Sequence, residues 1–173
     1  QPRFYAEVAV RAGSRNDPAD VTGLAHYFEH LMFKGTKRLG TIDWEKEKQH
    51  YDRITHLYSE RFKTTDPENR AQLYEEINRE TQLQAQYVVP NELTKVFNVM
   101  GETFLNAHTS LEETVFMVDL PSNRIEQWAR VEADRFSEPV LRLFQTELET
   151  VYEEKNTSLD NKNNLIFEAV FGA

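Results

Sequence analysis

Apolar positions along the chain switch between two spacings. Phe4, Ala6, Val8 and Val10 alternate roughly with Tyr5, Glu7, Ala9 and Arg11, the period-two pattern of a strand, and Gly13-Ser14 closes that strand after Ala12. Arg15–Asp20 is polar, contains a proline and reads as a loop. From Thr22 to Gly35, T-G-L-A-H-Y-F-E-H-L-M-F-K-G, the spacing becomes helical, with Leu24, Phe28 and Leu31 on one side and Tyr27, Met32 and Phe33 filling most of the rest. This helix is expected to be buried, with Thr22 as its N-cap and Gly35 as its stop.

Between Thr41 and Val89 the composition turns charged and glutamine-rich. Trp44, Tyr51, Ile54, Tyr58 and Phe62 recur at helical spacing, as do Leu73, Ile77 and Val88 more loosely, and Asp66-Pro67 supplies an N-cap and a first helical residue. Two helices follow, a hairpin laid on the outside of the core. Its His50 and His56 read as surface residues; a regulatory metal there has no second motif to support it. Pro90–Met100 predicts a short helix stopped by Gly101. Thr103–Thr109 and Thr114–Leu120 are β-prone runs parted by S-L-E-E, hence a hairpin. Pro121-Ser122 opens a helix carrying Ile125, Trp128, Ala129 and Phe136, Ser137-Glu138-Pro139 breaks it, and a last helix starts near Gln145.

A chain of 173 residues suits one domain with a proper core. Its 20 basic and 29 acidic residues leave a net charge of −9, with no basic cluster, which argues against nucleic acid or an anionic membrane as the main partner. No apolar run approaches the roughly 20 residues that span a bilayer. The first residues look like the inside of a folded domain, so the chain is expected to be trimmed from a larger protein. Cysteine is absent, and any metal site must use histidine and carboxylate.

On the Thr22–Gly35 helix, His26, Glu29 and His30 fall within one sector of roughly a third of the circumference. Two imidazoles one turn apart can converge on one cation, and a carboxylate displaced along the same face can act on a water held there. The pattern is H-x-x-E-H, a zincin signature in inverted order. Against it stands the plain alternative of satisfied core histidines, which a third ligand would displace. The last helix offers Glu147, Glu149, Glu153 and Glu154. With Leu148, Val151, Tyr152 and Lys155 as its inward face, Glu147 and Glu154 lie two turns apart on one stripe beside Val151, while Glu149 and Glu153 point away. Carboxylates edging onto an apolar face are costly unless they meet a cation. Glu154 thus becomes the candidate third ligand and Glu147 a carboxylate that orients a ligand histidine.

H-Y-F-E-H with L-M-F-K-G-T, then N-A-H-T-S-L-E-E-T-V-F, then T-E-L-E-T-V-Y-E-E-K-N resemble, in that order, the N-terminal catalytic domain of the pitrilysin and insulinase family of inverted zincins, which includes the mitochondrial processing peptidase. The resemblance covers nearly the whole chain. It implies zinc on His26, His30 and Glu154, Glu29 as general base, Glu147 as the supporting acid, and Asn106-Ala107 on a sheet edge that holds an extended peptide by β-augmentation. With the elements above it implies an α+β fold, a mostly antiparallel sheet packed with helices. In this reading residues 1–173 form one catalytic domain, and the Thr41–Val89 hairpin is an insertion of the kind seen in some bacterial zinc proteases.

The glycine pair that usually precedes Asn-Ala is replaced here by Thr103-Phe104-Leu105 after a lone Gly101. Active members also draw arginine and tyrosine from a C-terminal half, so the expected partners are a peptide substrate and that missing half or a partner subunit. Related bacterial proteins are often exported, which points toward the periplasm. The expected activity is zinc-assisted peptide hydrolysis. The rival is a non-catalytic structural or partner subunit of the same fold, and a purely structural zinc site is disfavoured because such sites are closed by four protein ligands.

Overall fold

The computed structural model describes residues 2–159. The alternating first segment forms strand β1 (Arg3–Val10), which pairs antiparallel with β3 (Thr114–Pro121), and β3 pairs antiparallel with β2 (Phe104–Thr109). The strand order is β1-β3-β2, so β1 and β2 are the two edges among the described residues. The register sets Phe4 opposite Leu120, and Ala6 and Leu105 opposite Val118; these side chains share one face. Helices α4 (Glu92–Met100) and α5 (Ile125–Ser137) cover it, with Leu93, Phe97, Met100, Trp128 and Val131 closing the main core. Each fully buried side chain of this kind is worth about 1.5–3 kcal/mol. A slip of one residue would turn the whole set to solvent, so burial of this single face holds the register. The molecule is α+β, as the sequence implies.

Helices α2 (Trp44–Lys63) and α3 (Pro67–Ala85) form the predicted hairpin. Asp66 accepts from the backbone N–H groups of Glu68 and Asn69, with Pro67 at the first helical position. Ile54, Leu57 and Ile77 make a second, smaller core with Tyr58, Leu73 and Phe144. Phe62 is not part of it. It sits in the last turn before the tip and is 89% exposed. His50 is likewise no plain surface residue: its Nδ1 lies 2.7 Å from Glu80 Oε2, and its ring stacks on Tyr87.

The motif helix α1 (Leu24–Leu31) is shorter than the sequence suggests. Thr22 is not its cap. Gly23 holds that position in the left-handed region, φ 88°, and the free N–H groups of Gly23 and Ala25 donate to Asp17 at 2.7 and 2.8 Å. The helix is also only partly enclosed, because Phe28 remains 44% exposed. Beyond its end the chain bends through Gly35, φ 96°, and Gly40, φ 89°, around the guanidinium of Arg142.

Candidate metal centre

Arg142 explains why the end of the chain returns to α1. Its Nε donates to Glu47 Oε1 at 2.7 Å, its Nη1 donates to the Lys34 and Leu39 carbonyls at 3.0 and 3.1 Å, and its Nη2 donates to the Thr36 carbonyl. One buried cation thereby joins the loop after α1, the first turn of α2 and the entry to α6 (Phe144–Leu159). Tyr27 adds a second tie, its hydroxyl donating to the Phe144 carbonyl at 2.6 Å. Burial of the ring, followed by the fields of Tyr58 and Glu147, pushes that hydroxyl up to about 12, so it stays a donor.

Held in this way, α6 presents a different face from the expected one. Leu148 and Tyr152 are exposed, and of the predicted inward residues Val151 is buried. The stripe turned to α1 is Glu147, Val151 and Glu154, because the two carboxylates find cationic or ring-nitrogen partners there and the apolar residues beside them do not.

Four side chains meet at this contact. His26 Nε2 and His30 Nε2 lie 3.2 Å apart. Glu154 Oε2 is 3.3 Å from His30 Nε2 and 3.6 Å from His26 Nε2. Glu147 Oε1 lies 3.0 Å from His30 Nδ1, and its other oxygen pairs with Lys34. A carboxylate only accepts, so the proton of a neutral His30 belongs on Nδ1, and its Nε2 turns a lone pair toward His26 and Glu154. His30 Nε2 and Glu154 Oε2 are then two acceptors facing each other, and a proton on His26 Nε2 leaves that contact unsatisfied.

The same triangle fits a tetrahedral ion closely. Bonds of about 2.0–2.2 Å to nitrogen and oxygen imply edges of about 3.3–3.5 Å between ligand atoms, against the observed 3.2, 3.3 and 3.6 Å. Among the described residues, these three are the group of histidine and acidic side chains close enough to share an ion, all within 4.8 Å of one another. Glu153, the neighbouring alternative, is not in that group, whereas Glu154 lies 3.3 and 3.6 Å from the two ring nitrogens.

Glu29 stands on the same helix in the same open cleft, of about 790 Å³. It is 8% exposed, and one carboxylate oxygen accepts from the Thr109 hydroxyl at 2.6 Å. Asn106 and Ala107 line the cleft along β2, the free edge on that side. Strand alternation turns Ala107 to the same face as Thr109 and Asn106 to the other.

Several residues around the centre carry no signal that a short motif can show. Lys34 lies one turn beyond His30, and i,i+4 spacing could have flagged it. Thr109, Tyr27 and Arg142 act across more than 79 residues of chain, and nothing local announces them.

Residues 1–50 match the family described as Insulinase (Peptidase family M16), a stretch that contains His26, Glu29 and His30. That match covers less than a third of the chain. Among curated proteins, "Putative zinc protease mug138" of Schizosaccharomyces pombe (strain 972 / ATCC 24843) is 34% identical to it over 55 residues, which is 31% of this chain and 6% of that protein. The aligned stretch thus spans a small part of that relative. Glu147 and Glu154 lie outside the family match.

Proposed function

We propose that this chain is the metal-binding N-terminal part of a zinc-dependent endopeptidase that hydrolyses peptide bonds in extended peptides or small proteins. The observation that carries the reading is the triangle of His26 Nε2, His30 Nε2 and Glu154 Oε2, with edges of 3.2, 3.3 and 3.6 Å, together with the fixing of His30 through Nδ1 by Glu147. His26, His30 and Glu154 would hold the ion, and a bound zinc would polarise a water and lower its pKa toward about 7.

Around that position the chain's own groups divide the work. Glu147 keeps the His30 ring in one tautomer and one orientation, itself held by Lys34. Glu29 takes the proton of the attacking water on the oxygen not bonded to Thr109 and passes it to the leaving amine. Asn106-Ala107, on the β2 edge, aligns the substrate as an added strand, whose main chain pairs regardless of side chain. Further substrate contacts come from a C-terminal half of the same protein or from a partner subunit, and the protein acts in the bacterial periplasm or is exported.

Zinc content and cleavage of a fluorogenic peptide, measured on the full-length protein and on Glu29→Gln, test this. The parent should carry about one zinc per chain, and Glu29→Gln should keep the zinc yet lose about 10²–10⁴-fold in turnover. Parent-like cleavage by Glu29→Gln removes the base assignment. A parent that takes up no zinc removes the enzyme altogether and leaves a partner subunit of the same fold.

A further inference from the structure

Thr109 is the last residue of β2, and its side chain crosses to α1 to donate a 2.6 Å hydrogen bond to Glu29 Oε2. We infer that Thr109 is the positioning residue for Glu29, holding the carboxylate in the one orientation from which its other oxygen can exchange a proton with the reacting water. This rests on the peptidase reading above.

The direction of the bond is forced. An ionised carboxylate only accepts, so the single hydroxyl proton of Thr109 goes to Glu29. Without a partner, the terminal torsion of a glutamate is broad and roughly two-fold, and a buried carboxylate needs a donor. The donor is itself rigid. Thr109 is β-branched, which stiffens its χ1, and it forms a cross-strand pair with Thr114 beside the turn. Thr114 Oγ1 lies 3.2 Å from the Thr109 hydroxyl and 2.9 Å from the Ala12 carbonyl. Donation of the Thr114 proton to Ala12 leaves the Thr109 proton free for Glu29.

The location matters as much as the bond. Thr109 lies two residues after Ala107 on the strand whose edge aligns the peptide in the proposed function. The scissile bond and the base are then referenced to the same piece of backbone, and any shift of β2 moves both together. A misplacement of about 1 Å at such a site costs on the order of 100-fold in rate.

Thr109→Val, which keeps the shape and removes the donor, and Thr109→Ser, which keeps the donor, are compared with the parent and Glu29→Gln in the full-length protein. Thr109→Val should lower kcat about 10- to 100-fold with KM and zinc content unchanged, and Thr109→Ser should stay within about threefold of the parent. Crystal structures of the metal-free parent and Thr109→Val give a readout independent of turnover, in which the Glu29 carboxylate should lose its single orientation.

Parent-like kcat in Thr109→Val, a loss of kcat matched by loss of zinc, or an unmoved Glu29 carboxylate overturns the inference. If Thr109→Val does not fold, Thr109→Ala must show the same split between kcat and KM. An inactive Glu29→Gln beside a fully active Thr109→Val sinks the Thr109 role alone. An active Glu29→Gln sinks the catalytic reading beneath it as well.

Discussion

Replacing Arg142 with leucine should be the most damaging single change outside the metal site. The side chains of Arg142 and Glu47 are 1% and 0% exposed, so removing one partner leaves the other as an uncompensated buried charge, at a cost of about 3–5 kcal/mol. The Lys34, Leu39 and Thr36 carbonyls lose their donor at the same time, so a net loss of about 4 kcal/mol is expected, since such terms do not add in full. Glu47 keeps only the bond from Gln84 Nε2, 3.1 Å long. Against a total of about 5–15 kcal/mol for a typical domain, and a urea slope of about 2 kcal/mol/M, the unfolding midpoint should fall by about 2 M.

Urea titration followed by tryptophan fluorescence reads this directly, because the Trp44 ring lies 5.6 Å from the Arg142 guanidinium and reports the hairpin leaving the α1 loop. The double variant Glu47→Leu/Arg142→Leu should be more stable than Arg142→Leu, since no unpaired charge remains inside. A loss below about 1 kcal/mol in Arg142→Leu, or a double variant as unstable as the sum of the singles, would mean that Arg142 does not hold the elements together as described.

Metal affinity should grade with distance from the triangle: Glu147→Ala weakens zinc binding about 10- to 100-fold, Glu154→Ala weakens it beyond that range, and Glu153→Ala leaves it unchanged. Competition with a chelating dye measures all three, and an effect of Glu153→Ala equal to that of Glu154→Ala would discard the assignment. On the acid side, the Thr103 hydroxyl and then the Arg3 guanidinium hold the Asp119 carboxyl below its ordinary value of 3.8. A carboxyl depressed in the folded state stabilises it at pH above the ordinary value, and that contribution is lost as pH falls through the lower folded value. The stability gap between the parent and Asp119→Asn should therefore narrow as pH drops from about 5 to about 2.5; a gap that stays constant in urea titrations across that range would refute the linkage.

The sequence by itself determined what depends on neighbours a few residues away. The four-residue spacing of His26 and His30, with Glu29 on the same side, follows from helical geometry alone. So do the Asp66-Pro67 start of α3, the stop at Gly101 and the two β-prone runs parted by S-L-E-E that pair as β2 and β3. Each is a local preference, repeated often enough to outweigh its competitors.

Only the tertiary structure decided which face of α6 points inward. Periodicity placed Glu147 and Glu154 at the margin of an inward face made of Leu148, Val151, Tyr152 and Lys155, but the helix centres them on His26, His30 and Lys34 and leaves Leu148 and Tyr152 exposed, because hydrogen-bonding and cationic partners at α1 and just beyond it outweigh partial burial of two apolar side chains. The same holds for the cap of α1, which comes from Asp17 and not from Thr22, and for the bonds from Thr109, Tyr27 and Arg142. Those contacts join segments from opposite ends of the chain, and no window of sequence contains both partners.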